Sequence, residues 1–121
     1  MRFVSIYRPA KVSACGPSPA DIQAMMAFIN EAVRAGVLLG TEGFGPSTAS
    51  DLKVRMTNGD FSTTDGPFAE AKEIIGGFAI MQVQSREELL DWTRRFLKLA
   101  GDGECEIHQL SDESPIDFAK R

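Results

Sequence analysis

Between Arg2 and Arg8 the side chains alternate, Phe3, Ser5 and Tyr7 against Val4 and Ile6, and this period of two in β-favouring residues predicts a first strand. The period then changes. Ser18-Pro19-Ala20-Asp21 supplies a capping serine, a proline at the first helical position and an acid in the first turn, and Ile22, Met25, Met26, Ile29, Ala32 and Val33 then recur at helical spacing until Gly36. Val37 to Phe44 and Leu52 to Met56 read as two further strands. Asn58-Gly59, two residues that tolerate positive φ, predicts a hairpin that continues through Asp60-Phe61-Ser62-Thr63. Phe78 to Val83 is apolar at almost every position, as expected of a strand covered on both faces. Ser85-Arg86-Glu87-Glu88 is a capping box opening a second helix, with Leu89, Trp92, Phe96 and Ala100 as its buried stripe and Asp91 and Arg95 placed to pair one turn apart. Gly101 and Gly103 end that helix, and Glu104 to Leu110 alternates as a last strand. Ser111 to Arg121 is a polar tail, interrupted by Pro115 and expected to be pinned by Ile116 and Phe118.

This order is a βαββαβ plan with one extra hairpin, which predicts an α+β, ferredoxin-like sandwich over residues 1–110 followed by a C-terminal tail, 111–121. Two helices cover only one face of an antiparallel sheet. Phe78 and Ile80 on one side and Ala79, Met81 and Val83 on the other are all apolar, so the second face needs a cover of its own. Pairing of two sheets across a two-fold axis, a homodimer, is the economical solution.

Composition narrows the picture. The 121 residues, 43% of them hydrophobic and 25% charged, suit one globular domain with a real core. Thirteen basic against seventeen acidic residues leave a net charge of −4, which argues against direct nucleic-acid binding. Arg8-Pro9 interrupts the N-terminal apolar residues before a signal peptide could form, and no apolar run approaches the ~20 residues of a membrane span, so a cytoplasmic protein with no membrane partner is expected. Cys15 and Cys105 match no zinc spacing and read as reduced thiols. No metal cluster, dinucleotide fingerprint or phosphate loop is visible, so neither a metal nor a cofactor is expected.

Thr64-Asp65-Gly66-Pro67-Phe68-Ala69-Glu70-Ala71-Lys72-Glu73, followed by Gly76-Gly77-Phe78, resembles the signature of the bacterial DGPF-domain proteins of the YCII-related superfamily. The resemblance extends over roughly residues 1 to 110 and implies a dimeric α/β barrel built from two ferredoxin-like protomers, with a ligand cleft. It also implies accessory domains that occur beside or fused to bacterial extracytoplasmic-function sigma factors, which makes such a factor a candidate partner. YCII relatives carry a histidine near the first helix paired with an aspartate. Nothing from Pro9 to Gly36 is a histidine here, so that dyad is not carried over.

The candidate chemistry is therefore spread along the chain. Asp65-Gly66-Pro67 reads as a rigid turn in which Asp65 accepts backbone hydrogen bonds and caps a short helical stretch, Phe68 to Ile75. On the functional reading Asp65, Glu70 and Lys72 meet at a cleft mouth bordered also by Glu42, and bind a small polar or anionic organic molecule, with Lys72 as the anion contact. His108, the sole histidine, shares a strand face with Glu106 and Leu110 and points into the barrel if Ile107 packs under the helices. As an imidazole able to take or give a proton, it is with Asp65 the candidate catalytic group of the alternative reading, a small acid/base enzyme of the isomerase or lyase kind.

Overall fold

The computed structural model describes residues 1–11, 17–45, 47–68 and 75–120. The elements run β1 (Arg2–Pro9), α1 (Pro19–Arg34), β2 (Leu38–Gly43), β3 (Leu52–Thr57), β4 (Asp60–Asp65), β5 (Gly77–Gln82), α2 (Arg86–Ala100), β6 (Gly103–Gln109) and α3 (Pro115–Ala119). Four strands form one antiparallel sheet in the order β2-β5-β1-β6, and β3 and β4 form a separate two-stranded sheet. With the hairpin set aside, that is the ferredoxin-like arrangement. Cys15 and most of the expected Phe68 to Ile75 helical stretch lie outside the described residues.

The helices start where the local chemistry says they should. Ser18 Oγ accepts from Asp21 N at 3.1 Å while Ser18 N donates to Asp21 Oδ2 at 3.3 Å, a complete capping box with Pro19 at the first position. At α2 the box is displaced by one residue. Ser85 Oγ accepts from Glu88 N at 3.1 Å, but the Glu88 carboxylate reaches past Ser85 to accept from Gln84 N at 3.0 Å. Both Asn58 and Gly59 have positive φ, 53° and 85°, the mirror-image turn that matches the twist of a two-residue hairpin.

Pleating assigns each residue to a face. Met81, Val83, Val37 and Leu89 form the buried cluster, with Phe3, Leu38, Ala79, Trp92 and Ile107 packed against it. Phe3, Ala79, Met81 and Ile107 thus lie under the helices, and Val4, Ile6, Phe78 and Ile80 face the other way. The charged contacts on the helices differ from the expected pair. Asp91 bonds Arg94 at 3.3 Å, leaving Arg95 to bridge to Glu31 on α1 while its guanidinium lies over the rings of Trp92 (4.7 Å) and Phe28 (5.2 Å). Arg95 therefore clamps the two helices, where stacking adds to charge pairing. In the tail, α3 leaves Ile116 and Phe118 largely exposed. Its root is held by Arg2, whose guanidinium donates to Ser111 O at 2.6 Å.

Candidate functional site

On the face of the sheet opposite the helices, strand register builds a patch with an apolar floor and polar margins. Val4 and Ile6 of β1 stand opposite Ile80 and Phe78 of β5, and all four side chains are half-buried. On one margin β2 places Glu42 opposite Phe78. On the other, β6 places Glu104, Glu106 and His108 opposite Arg8, Ile6 and Val4. Glu42 and Glu106 lie in one cross-strand row at opposite edges, three strand spacings or about 14 Å apart.

The β6 margin holds the most organised polar group. Glu106 and His108 are two apart on a strand and so share a face, and Glu106 Oε2 lies 2.8 Å from His108 Nε2. The other carboxylate oxygen, Oε1, is 3.7 Å from Arg8 Nη1. Glu106 therefore sits between two donors, and the hydrogen bond from His108, reinforced by the positive charge of Arg8, holds its carboxyl below the usual carboxylate range. An ionised carboxylate can only accept, so Nε2 must carry the proton. That fixes the tautomer of the neutral ring and leaves Nδ1 as its basic nitrogen. His108 is exposed and Arg8 largely covered, which is the arrangement of an accessible acid/base group backed by a carboxylate.

Other expected site residues lie elsewhere. Asp65 ends β4 opposite Leu52, exposed on the hairpin, and no hydrogen bond or ion pair among the described residues joins it to Glu42 or His108. Glu70 and Lys72 lie outside the described residues. The turn-fixing role expected of Asp65 belongs to Asp51. Its Oδ2 accepts from Ser47 Oγ at 2.8 Å and Thr48 N at 3.2 Å, while its carbonyl accepts from Gly66 N at 2.6 Å. Phe68 N donates to Ser47 Oγ at 2.7 Å, so both strands' roots are knotted together. Gly66 precedes a cis peptide bond to Pro67; a Cβ on Gly66 would run into the Thr48 carbonyl oxygen, so only glycine fits. The Asp-Gly-Pro-Phe string thus builds the base of the hairpin.

Glu106 and Arg8 were not singled out as candidates from the sequence. The i, i+2 spacing of Glu106 and His108 was a usable signal; the approach of Arg8 depends on the pairing of the first strand with the last, which spacing alone does not give.

A second hollow, of about 280 Å³, is lined by Tyr7, Pro9, Ala10, Lys11, Ala100 and Asp102 beyond the end of α2. The Tyr7 hydroxyl there faces the carbonyls of Gly101 at 3.2 Å and Asp102 at 3.3 Å. Burial, helped by the nearby Cys105 and Asp102, pushes its pKa up, so this phenol acts as a neutral tie for the loop. Among the described residues no group of His, Cys, Asp and Glu is arranged to hold a metal ion, and no helix is long and apolar enough to cross a membrane.

The family model of the YCII-related domain matches residues 1–110. None of the curated proteins compared with the chain matches it. Among solved structures, 5-chloro-2-hydroxyhydroquinone dehydrochlorinase from Burkholderia phenoliruptrix AC1100, in complex with 2,5-dihydroxybenzoquinone, is similar at 15% identity and a TM-score of 0.49. The match covers 92% of this chain and 94% of that one, and at that level of likeness it carries no inference about chemistry.

Proposed function

Given that the chain belongs to the family of YCII-related domains, we propose that it is one protomer of a homodimer that binds a small organic molecule against the open sheet face, with His108 as the polar contact. The observation that carries this reading is the 2.8 Å contact of His108 Nε2 with Glu106 Oε2 beside the floor of Val4, Ile6, Phe78 and Ile80. An apolar floor with a few oriented polar groups is the usual makeup of a small-molecule site. Of the polar and anionic ligands expected from the sequence, the charges here favour the polar one. Glu42, Glu104 and Glu106 line the margins, and Arg8 already faces Glu106, so among the described residues carboxylates outnumber the guanidiniums on this face and a bare anion would meet repulsion there. A flat or branched apolar body carrying a hydroxyl or carbonyl fits the pattern.

The same floor supports the dimeric barrel. Four apolar side chains in one contiguous strip, left half in water, form a patch that folded monomers rarely keep, and two such faces cover each other. Ligand-observed NMR against a set of neutral hydroxy- and keto-compounds and their carboxylate counterparts tests the site. The neutral compounds should bind wild type and lose affinity for His108→Ala. If only carboxylates bind, or if the variant binds as well, the open-face reading fails.

One observation favours a second reading, in which the protein moves a proton. His108 donates Nε2–H to an ionised carboxylate, which in the neutral ring leaves Nδ1 free to take a proton, the preparation that a general base needs. Turnover of a bound carbonyl compound should then fall at least ~100-fold in His108→Ala and recover with added imidazole; unchanged turnover removes the imidazole from the chemistry.

A further inference from the structure

The β3–β4 hairpin has two different faces, one largely apolar and one polar. Leu52, Val54, Met56 and Phe61 lie on one face and are 56%, 61%, 63% and 75% exposed, with Thr63 and Asp65 beside them toward its base. Lys53, Arg55, Thr57, Asp60, Ser62 and Thr64 lie on the other. On the polar side Lys53 Nζ lies 4.5 Å above the Phe68 ring. The four apolar side chains keep more than half of their surface exposed. All twelve strand positions are exposed, and a lone two-stranded hairpin is marginally stable in water.

We propose that this hairpin is a clasping arm whose apolar face docks on a second copy of the chain. The inference rests on the homodimer proposed above and extends it by a separate contact surface. The first support is area. The chain exposes 8997 Å², whereas a compact monomer of its mass exposes roughly 6,400 Å². The excess, about 2,600 Å², is what each partner of a large obligate homodimer gives up, roughly 1,000–2,500 Å² a side. The floor of four residues is too small to account for it alone. The second support is continuity. Phe44, half-exposed and directly after β2, packs edge-on against Phe78 of the open face at 6.2 Å between ring centroids, and the chain runs on from it to the start of β3, so the arm leaves the sheet from the β2–β5 edge of the floor. A symmetric partner that covers the floor is thereby placed beside the arm, where no unrelated partner is required.

Two arm variants of the full chain test this. Phe61→Ser with Val54→Ser removes the apolar face; Val54→Thr with Met56→Thr does so while keeping β-branched residues that favour the strand, so the hairpin itself stays formed. Sedimentation across a concentration series should show the wild type dimeric and both variants dissociating at least ~100-fold more readily. Amide hydrogen exchange read on β3 and β4 should show protection in the wild-type dimer and its loss in Ile80→Asp, which attacks the floor and not the arm. A wild-type monomer would overturn the homodimer and the arm docking together. A wild-type dimer whose arm amides exchange as freely as an open chain, or whose arm variants dissociate no more readily, would overturn the arm alone. Arm protection that persists in a monomeric Ile80→Asp protein would mean that the arm docks within its own chain, and would overturn it too.

Discussion

Ile80→Asp separates the two faces of one strand. Ile80 faces away from the helices, opposite Val4 and Gly40, while its neighbour Met81 is buried in the core. In an isolated protomer the new carboxylate has only a half-buried strip and a glycine beside it, can reach water, and should cost about 1 kcal/mol or less, as half-exposed positions do. In the proposed dimer the same carboxylate is sealed against an apolar partner face. An unpaired charge left in such a place costs about 3–5 kcal/mol, and the lost isoleucine burial adds to it. Two-fold symmetry doubles the penalty, so even the lower bound gives about 6 kcal/mol per dimer, more than a ten-thousandfold rise in the dissociation constant. A nanomolar dimer would become one of tens of micromolar or weaker.

The assay is sedimentation equilibrium at micromolar concentration, with far-ultraviolet circular dichroism on the same samples. Ile80→Asp should be monomeric with its secondary structure kept. Met81→Asp should lose both, because an unpaired charge among Val83, Leu89 and Val37 together with the lost methionine packing costs about 5–10 kcal/mol, as much as a small fold's whole stability of about 5–15 kcal/mol. A wild-type mass of one chain, or an Ile80→Asp protein that stays dimeric, would refute the reasoning. Equal unfolding by both substitutions would show that the face assignment has no energetic meaning.

The remaining predictions concern smaller groups. Leu89→Ala, in the buried cluster, should lower stability by about 2–5 kcal/mol in chemical denaturation, while Leu99→Ala on the outer side of the same helix should change it by less than about 0.5 kcal/mol. Glu106 has its pKa lowered by folding, so its contribution is complete above the ordinary carboxylate range and is lost as pH falls through the folded value; the stability gap between wild type and Glu106→Gln should therefore close on acidification. Tyr7 is the sole tyrosine and its pKa is raised, so its contribution holds below the ordinary phenol value and is lost as pH rises through the folded one; the phenolate absorbance of the native chain should appear at higher pH than that of the unfolded chain. Gly66→Ala should destabilise the arm's root, because the added methyl meets the Thr48 carbonyl, whereas Gly45→Ala, with open space around it, should be close to neutral.

The plan of strands and helices was legible in the sequence because each element carries its own local signal. Ser18 and Ser85 announce the helices, Asn58-Gly59 the hairpin, and the doubly apolar Phe78 to Val83 the central strand. What was not legible depends on register between distant segments. The pairing of β1 with β6 brings Arg8 to Glu106, and the pairing of α1 with α2 takes Arg95 away from Asp91 to Glu31. Asp51 as the hairpin's anchor was missed for a similar reason. Its partners Ser47, Thr48 and Gly66 become neighbours only when the two roots of the hairpin close on each other. The turn role given to Asp65 from its own string, local as it was, went to the residue that this closure brings opposite Gly66. His108 could be placed on its face by alternation, but its chemistry could not, since an isolated imidazole gains a defined tautomer only from the carboxylate that folding holds 2.8 Å away.

The position of the site has a thermodynamic consequence that neither feature has alone. His108 and Glu106 lie on the margin of the floor that the second copy is proposed to cover, so whatever binds there touches groups whose exposure changes on association. Ligand affinity and dimer affinity are then linked, and linkage is reciprocal: if pairing tightens the ligand by a given factor, the ligand tightens the pair by the same factor. The coupling is carried by the surface the two events share, since the ligand and the second copy both meet the floor of Val4, Ile6, Phe78 and Ile80. The thermal midpoint should accordingly rise with protein concentration and with ligand together, by more than the two increments measured separately, for as long as the dimer remains partly dissociated. A midpoint that responds to ligand identically at all protein concentrations would place the bound molecule away from the interface, and the floor between β2 and β6 would have to be read as a dimer surface only.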